Sequence, residues 1–474
     1  GQNELLAWSD SAYAGSGSAR VDLVESKSCV QCHMAKVPAP LSDAAADPEG
    51  KVSSHYFLGA HTWLAAMRGD DEQLSRTQAF LQDVASVDVV FREGRSGEVR
   101  FDAVIRNTSV GHRFPSGVRD AANTWVEVDV LNAVGEVILR SERGEQAHRL
   151  VAMMADKEGT LLETRQTHRF AALVADHTIA PRDVAVTRYR GDLPRGATAN
   201  AVRVKLVHQS RSPKLASATC AEARSSRGLA YRRARRSLGR SPLKGCAPQP
   251  QTTIAEVTRS LGDRGSESFA RSYEHGLGLL HEVQERVEDA RPSLQHALRL
   301  SAGKPMQRAM ALVALAELEG RQGRATQALA LLDEAETLLP KSAAVFARRG
   351  DVLSRVWRWP LAADAYRAAL VHAPGSVSLW RRYALALASS GQQRPALLAA
   401  QKGLHLLPRD ADLLRVQALA LQALDGNDAS EAMAAYLQHR GPDNAGSIRL
   451  ACATASPRCA RESLPVHEHA LLIP

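Results

Sequence analysis

Residues 340–374 read PKSAAVFARRGDVLSRVWRWPLAADAYRAALVHAP, and the prolines at either end belong to a series, because Pro340, Pro374, Pro408 and Pro442 are each 34 residues apart. That period is the length of a tetratricopeptide unit, a helix-turn-helix pair that buries its apolar face only against a neighbouring pair. Two helices cross closely where one presents Gly or Ala, and Gly350, Ala362, Tyr366 and Ala369 supply small residues and one aromatic at such places. Trp380, Gly391 and Ala396 do the same in the following unit, and Gly323, Ala328 and Ala335 in the preceding one. Gly278, Ala290 and Ala297 mark an earlier unit out of register, while Gly426 and Ala432 arrive late in the last. Residues 266–445 are therefore expected to form an α-solenoid of about four or five units, a surface that docks a protein partner.

Toward the N-terminus the period changes from helical to two. Val99, Phe101, Ala103 and Ile105 alternate with polar neighbours, as do Val126, Val128 and Val130, then Val184 and Val186, then Val202, Val204 and Leu206. Alternation punctuated by Gly and Pro predicts about seven short strands and a β-sandwich-like domain over 86–208. Residues 1–85 are mixed, with helical pieces at 56–67 and 71–84. Residues 209–265 read as a basic linker, and 446–474 as a C-terminal tail.

Of the 474 residues, 45% are hydrophobic and 23% charged, the composition of folded domains rather than of a disordered chain. No run approaches the roughly 18 uncharged apolar residues of a membrane span. The net charge of +9 equals the surplus of one segment, since Arg211–Lys244 holds ten Lys or Arg against the single acid Glu222. Tyr231 is the one aromatic there, so the segment lacks the stacking residues of single-strand binding, and nucleic acid is not an expected partner. It reads as a solvated linker, with a docking patch for an acidic partner as the alternative.

Chemistry is concentrated in Ser28–Lys36, SCVQCHMAK. Cys-x-x-Cys-His is the attachment sequence of a c-type haem. Two thiols on one turn of chain reach the two vinyl groups of the porphyrin, and the next imidazole arrives beneath the iron. Cys29 and Cys32 are thus the expected thioether anchors and His33 the proximal iron ligand. A redox Cys-x-x-Cys would sit in a thioredoxin-like βαβ unit, and zinc would want a second ligand pair, whereas Cys220, Cys246, Cys452 and Cys459 are distant and widely spread. Met34 lies on the proximal side and cannot come round to the opposite face. The candidate distal ligands are His55 and His61 in SHYFLGAHTWL and His112 in VGHRFPSG. The expected fold class is multidomain α+β: a small haem-binding helical segment (1–85), the β-sandwich-like domain and the C-terminal solenoid of tetratricopeptide repeats.

These residues resemble the secreted multihaem c-type cytochromes that couple a haem module to C-terminal tetratricopeptide repeats. The resemblance rests on AWSDSAYA (7–14), ESKSCVQCHM (25–34), SHYFLGAH (54–61), NTSVGHRFPSG (107–117) and the repeats beyond Ser266, and covers most of the chain outside the basic segment. It implies bis-histidine haems, electron transfer and an extracytoplasmic site, and it offers His55 and His112 as axial ligands. Members of the group carry several Cys-x-x-Cys-His motifs, whereas this chain has one. Upstream haem-binding sequence would then be missing, lost or supplied by another chain, and one of the three histidines would belong to a haem this polypeptide does not attach.

The expected function is that of a periplasmic or extracellular cytochrome with at least one covalent haem c. It would pass single electrons to a redox partner protein or another haem-bearing chain. No catalytic acid–base pair, phosphate loop or nucleophile triad is evident, which favours electron transfer over catalysis. Two alternatives stand beside it: a repeat-based scaffold or assembly protein with a structural haem, and a haem enzyme or sensor with an open axial site. Cys220 with Cys246, and Cys452 with Cys459, are the expected disulfide pairs of an oxidising compartment, the second stapling the end of the solenoid.

Overall fold

The 34-residue period becomes helix pairs. In the computed structural model these are Pro305–Arg321 with Ala325–Leu338, Ala343–Arg355 with Trp359–His372, Val377–Ser389 with Gln393–Leu406, and Ala411–Ala423 with Ala429–His439. An earlier pair, Phe269–Glu282 and Arg291–Leu300, precedes them. The structure describes residues 4–15, 17–22, 24–40, 43–144, 146–262, 268–282, 287–463 and 468–474. They form two units, one of residues 4–26 with 268–443 and the other of 27–262 with 444–474. The boundary expected at 265/266 lies outside the described residues.

Within a pair, the glycines do two different jobs. A Cβ on Gly350 would stand 2.4 Å from the ring of Tyr366 in the second helix, so Gly350 is the crossing point, and Ala384 and Ala418 follow it at the same period. Gly323 and Gly391, expected to serve the same crossing, instead end the first helix in the left-handed region, at φ 75° and 80°. Trp357 and Asp425 hold the equivalent turn positions at φ 60° and 52°, where a side chain strains the backbone.

Residues 4–26 are not part of the cysteine segment, as expected for 1–85, but lie on the repeats. Val21 is buried among Leu312, Val313, Ala316 and Val345, on the first helices of two successive pairs. Asp10 accepts hydrogen bonds from the hydroxyls of Ser376, at 2.7 Å, and of Ser378, at the start of the first helix of the next pair. The segment is too short to show a periodicity of its own, which is why the sequence alone does not say what it packs on.

In the other unit the alternating stretches become strands. These are β1 (Lys36–Pro38), β2 (Lys51–Ser53), β3 (Ala85–Phe91), β4 (Glu98–Asn107), β5 (Asn123–Leu131), β6 (Val137–Arg140), β7 (Ala152–Ala155), β8 (Leu161–Leu162), β9 (Ala172–Asp176), β10 (Val184–Asp192), β11 (Ala201–Gln209), β12 (Thr252–Ser260) and β13 (Glu468–Ala470). Two four-stranded sheets, β13-β10-β4-β3 and β12-β11-β5-β6, face each other. Phe101, Ala103 and Ile105 of β4 share one core with Val126, Val128 and Val130 of β5 and with Val202, Val204 and Leu206 of β11. These are the alternating residues of the sequence, so the expected sandwich core forms from them. Beside these two sheets stand a three-stranded sheet, β8-β7-β9, and the antiparallel pair β1-β2.

The linker expected over 209–265 is instead the helices Pro213–Arg224 and Ser226–Ser237 followed by β12, which pairs antiparallel with β11. Charge density hid the helices, and the intervening loop hid the return of the alternation. The tail expected over 446–474 folds back as well: β13 runs parallel to β10, and Glu468 pairs with Arg92 at 2.5 Å. Cys452 and Cys459 form a disulfide between the helices Ala445–Ala455 and Pro457–Ser463, packed on Val151, Met153 and Val174 rather than closing the solenoid. Cys220 and Cys246 form a second. Among the described residues no helix is long and apolar enough to cross a membrane.

The two turn and crossing roles predict opposite responses within one repeat. Gly350→Ala drives a methyl into Tyr366 and should destabilise the chain by about 1–3 kcal/mol. Trp357→Gly relieves a left-handed side chain and should stabilise it by about 1 kcal/mol. Denaturant midpoints of the two variants check both signs.

Candidate haem site

The helix Cys29–His33 is only one turn long, and its start is fixed by a reciprocal cap. The Ser28 hydroxyl accepts from the Gln31 N–H at 3.3 Å, while Gln31 Oε1 accepts from the Ser28 N–H at 2.7 Å. The cap presents Cys29 and Cys32 on the surface as free thiols, whereas the other four cysteines are in disulfides. Lost solvation raises the pKa of the Cys32 thiol, with Lys27 pulling against it and Cys29 adding to it. A redox-active Cys-x-x-Cys needs the opposite shift.

His33 closes a long loop. Its Nδ1–H donates to the Leu58 carbonyl at 2.5 Å, and the Leu58 N–H donates back to the His33 carbonyl at 3.2 Å. With the proton held on Nδ1, Nε2 carries the lone pair that a metal takes. Phe57, next to that carbonyl, is 61% exposed, has φ 41° and stacks on the His33 ring at 4.9 Å. Phe80 lies 5.7 Å away. Val30 and Tyr56 add exposed apolar surface, an unusual concentration for a water-facing segment and one that a flat apolar ligand would cover.

The second imidazole comes from the loop that follows β4. His112 is parallel to His33 within 4°, with ring centres 6.0 Å apart. Its Nδ1–H donates to the Arg113 carbonyl at 3.1 Å, which selects the same tautomer as in His33. Asn107, fully buried at the end of β4, holds this loop: Nδ2 reaches the carbonyls of His112 and Ala180, each at 3.1 Å, and Oδ1 accepts from the Val110 N–H. Arg113 is pinned by Thr178, whose hydroxyl accepts from Nε at 2.8 Å. Two free thiols, two imidazoles and the apolar rings beside them are donor and cover types that a c-type haem uses.

The other two candidates lie elsewhere. His55 is solvent-exposed and makes no ring contact with His33 among the described residues. His61 starts the helix Thr62–Arg68, and its Nε2 accepts from Arg211 at 2.8 Å, so its lone pair is taken by a guanidinium. Lost solvation, then the Arg211 charge, push its pKa down to about 4. Sequence reasoning takes Tyr56, Phe57 and Leu58 as apolar cover beside an imidazole but misses Asn107, Phe80 and the bond to the Leu58 carbonyl. Asn107 opens the stretch NTSVGHRFPSG, and an Asn where a strand runs into a Gly-His turn was the available signal.

No protein-family model and no curated protein matches the chain. Among solved structures it is similar to MamA from Desulfovibrio magneticus RS-1, at 19% identity over 37% of this chain and 93% of that one, with a TM-score of 0.31. It is similar to PilF of Pseudomonas aeruginosa at 18% identity over 40% of this chain and 92% of that one, TM-score 0.33. A penta-haem cytochrome c552 from Thermochromatium tepidum is similar at 15% identity over 53% of this chain, which spans 50% of that cytochrome's length, TM-score 0.31.

The segment after Leu58 is tied to β11. The Ala60 carbonyl accepts from His208 Nε2–H at 2.9 Å and from the Ser210 hydroxyl at 3.1 Å, and Thr124 bonds His208 Nδ1 at 2.7 Å. Burial lowers the His208 pKa from 6.5 to about 4, so the folded chain holds it neutral while the unfolded chain protonates it. That stability is present above pH 6.5 and lost as pH falls toward 4. The loss should be on the order of 3 kcal/mol, read as a falling denaturant midpoint over that interval. His208→Gln should flatten the dependence.

Proposed function

We propose that the chain is an extracytoplasmic c-type cytochrome that passes single electrons, with Cys29 and Cys32 as the thioether anchors, His33 as proximal ligand and His112 as distal ligand. The parallel pair of imidazoles beside two free thiols carries this reading. A haem bound there supplies a reversible one-electron couple. The chain's own residues supply the rest. The Leu58 and Arg113 carbonyls hold the protons on Nδ1, and Asn107 fixes the loop that bears His112. Phe57, Phe80 and Tyr56 provide apolar cover.

With His33 and His112 both held to the iron, no ligand position would be left open, which disfavours an enzyme or sensor with an open site. The disulfides Cys220–Cys246 and Cys452–Cys459 suit a periplasmic or extracellular protein. The repeats serve a protein partner: Leu385 and Leu419, 34 residues apart on the first helices of two pairs, stay 51% and 44% exposed. Residues 4–26 already cover part of that face.

After maturation in a host that attaches haem c, a pyridine haemochrome assay should count one covalent haem per chain, and a colourless protein would refute the reading. His112→Ala should convert a low-spin spectrum into a high-spin one that binds carbon monoxide. His55→Ala should leave the spectrum unchanged. The reverse pattern would move the distal ligand to His55.

A further inference from the structure

The basic segment is a built element rather than a connector. The helices Pro213–Arg224 and Ser226–Ser237 meet at Ser225, whose hydroxyl accepts from the Gly228 N–H at 3.1 Å. Gly228 is the only residue type that fits the corner, because a Cβ there would lie 2.2 Å from the Glu222 carbonyl oxygen. The Cys220–Cys246 disulfide closes the element. Its returning loop is seated on the helix Thr62–Arg68: the Lys244 N–H donates to the Met67 carbonyl at 2.8 Å, and Trp63 Nε1–H donates to the Ala247 carbonyl at 2.8 Å. That helix begins four residues after Leu58, the partner of His33.

The arginines are arranged at a cost. Seven of them lie between 224 and 240 with no acid among them. Arg227 pairs with Glu222 and Arg235 donates to the Ser241 carbonyl, but Arg224, Arg232, Arg233, Arg236 and Arg240 have no ion-pair partner among the described residues. Arg232 with Arg236 is an i,i+4 like-charge pair, and Arg232 with Arg235 and Arg233 with Arg236 are i,i+3 pairs, each of which opposes the helix.

We propose that this hairpin is the docking surface for an acidic protein, the redox partner of the electron-transfer reading on which the proposal rests. Arginine forks match carboxylates in pairs, and a concentrated positive patch steers an acidic partner toward its own side of the unit. Tyr231, 46% exposed, and Leu229, 39% exposed, stand among the arginines as apolar anchors of the kind protein interfaces use. An anionic membrane fits less well. At 3.6 residues per turn the arginines at 227, 232, 233, 235 and 236 spread over about two thirds of the circumference, and the remaining sector carries only Ser226, Ala230, Ala234 and Ser237, with no large apolar residue to enter lipid.

The test uses the full chain and a fluorescent poly-glutamate peptide, followed by anisotropy across a salt series. R232E/R233E/R235E/R236E should weaken binding by about tenfold or more, and the milder R232Q/R233Q/R235Q/R236Q should weaken it while melting no lower than the parent chain. The control K341E/R394E/R409E/R415E changes net charge equally and should bind like the parent. Equal loss in both reversals, or loss in neither, overturns the proposal. So does sedimentation of the parent chain with phosphatidylglycerol vesicles in place of peptide binding. Haem per chain, counted on the same samples, separates the two ideas: its absence defeats the cytochrome reading and leaves the peptide result to judge the patch.

Discussion

One closed loop carries the site. His33 and Leu58 exchange hydrogen bonds across 25 residues, and each bond constrains a different object. The imidazole bond fixes a tautomer and a ring plane, while the backbone bond sets where the chain re-enters the unit. Two residues later the Ala60 carbonyl takes up His208 and Ser210 at the end of β11, so the loop is registered against the sandwich. Asn107 does the corresponding work from β4 for the His112 loop. The two rings come parallel because both loops are referenced to strands of the same core, which places them more closely than free surface loops could.

Legibility in the sequence followed the locality of the physics. Cys29, Cys32 and His33 were readable as candidates because the three residue types stand together on one turn. The sandwich core was readable because Phe101, Ala103 and Ile105 alternate within a single strand. The choice among His55, His61 and His112 was not, since the three look alike in sequence and only the fold brings the His112 ring beside that of His33. What separated them were long-range partners, Arg211 for His61 and Asn107 with Thr178 for the His112 loop. The C-terminal strand escaped for the same reason: β13 is three residues long, and its pairing with β10 is a tertiary fact.

The repeats show a finer version of this limit. Proline spacing revealed the period, yet it assigned one role to glycines that have two. Gly350 is small because Tyr366 crosses it, whereas Gly391 is achiral because the turn needs a positive φ. Trp357 and Asp425 occupy that turn with side chains and break the glycine pattern without breaking the fold. The period survives because burial of Ala362, Ala369 and their equivalents between neighbouring pairs outweighs strain at one exposed residue. Residues 4–26 exploit the same surface, with Asp10 on the hydroxyls that begin the helix Val377–Ser389.

Exposed apolar side chains and clustered like charges lie where the proposed chemistry lies. Phe57 is strained and exposed, Val30 and Tyr56 face water, and five arginines repel one another on a hairpin. The hairpin's closing loop is seated on one short helix. Thr62 and Trp63 are held by Ser210, and Met67 and Trp63 hold the loop that closes the hairpin. An acidic protein binding the arginines would relieve their repulsion and stiffen the loop seated on Thr62–Arg68. The same helix follows the Leu58 carbonyl that orients His33 and the Ala60 carbonyl that anchors to His208 and Ser210, so ordering at the docking surface and ordering at the imidazole share a support. A partner that binds the hairpin would thereby favour the arrangement in which His33 faces His112, with a coupling limited to the free energy by which that helix is ordered.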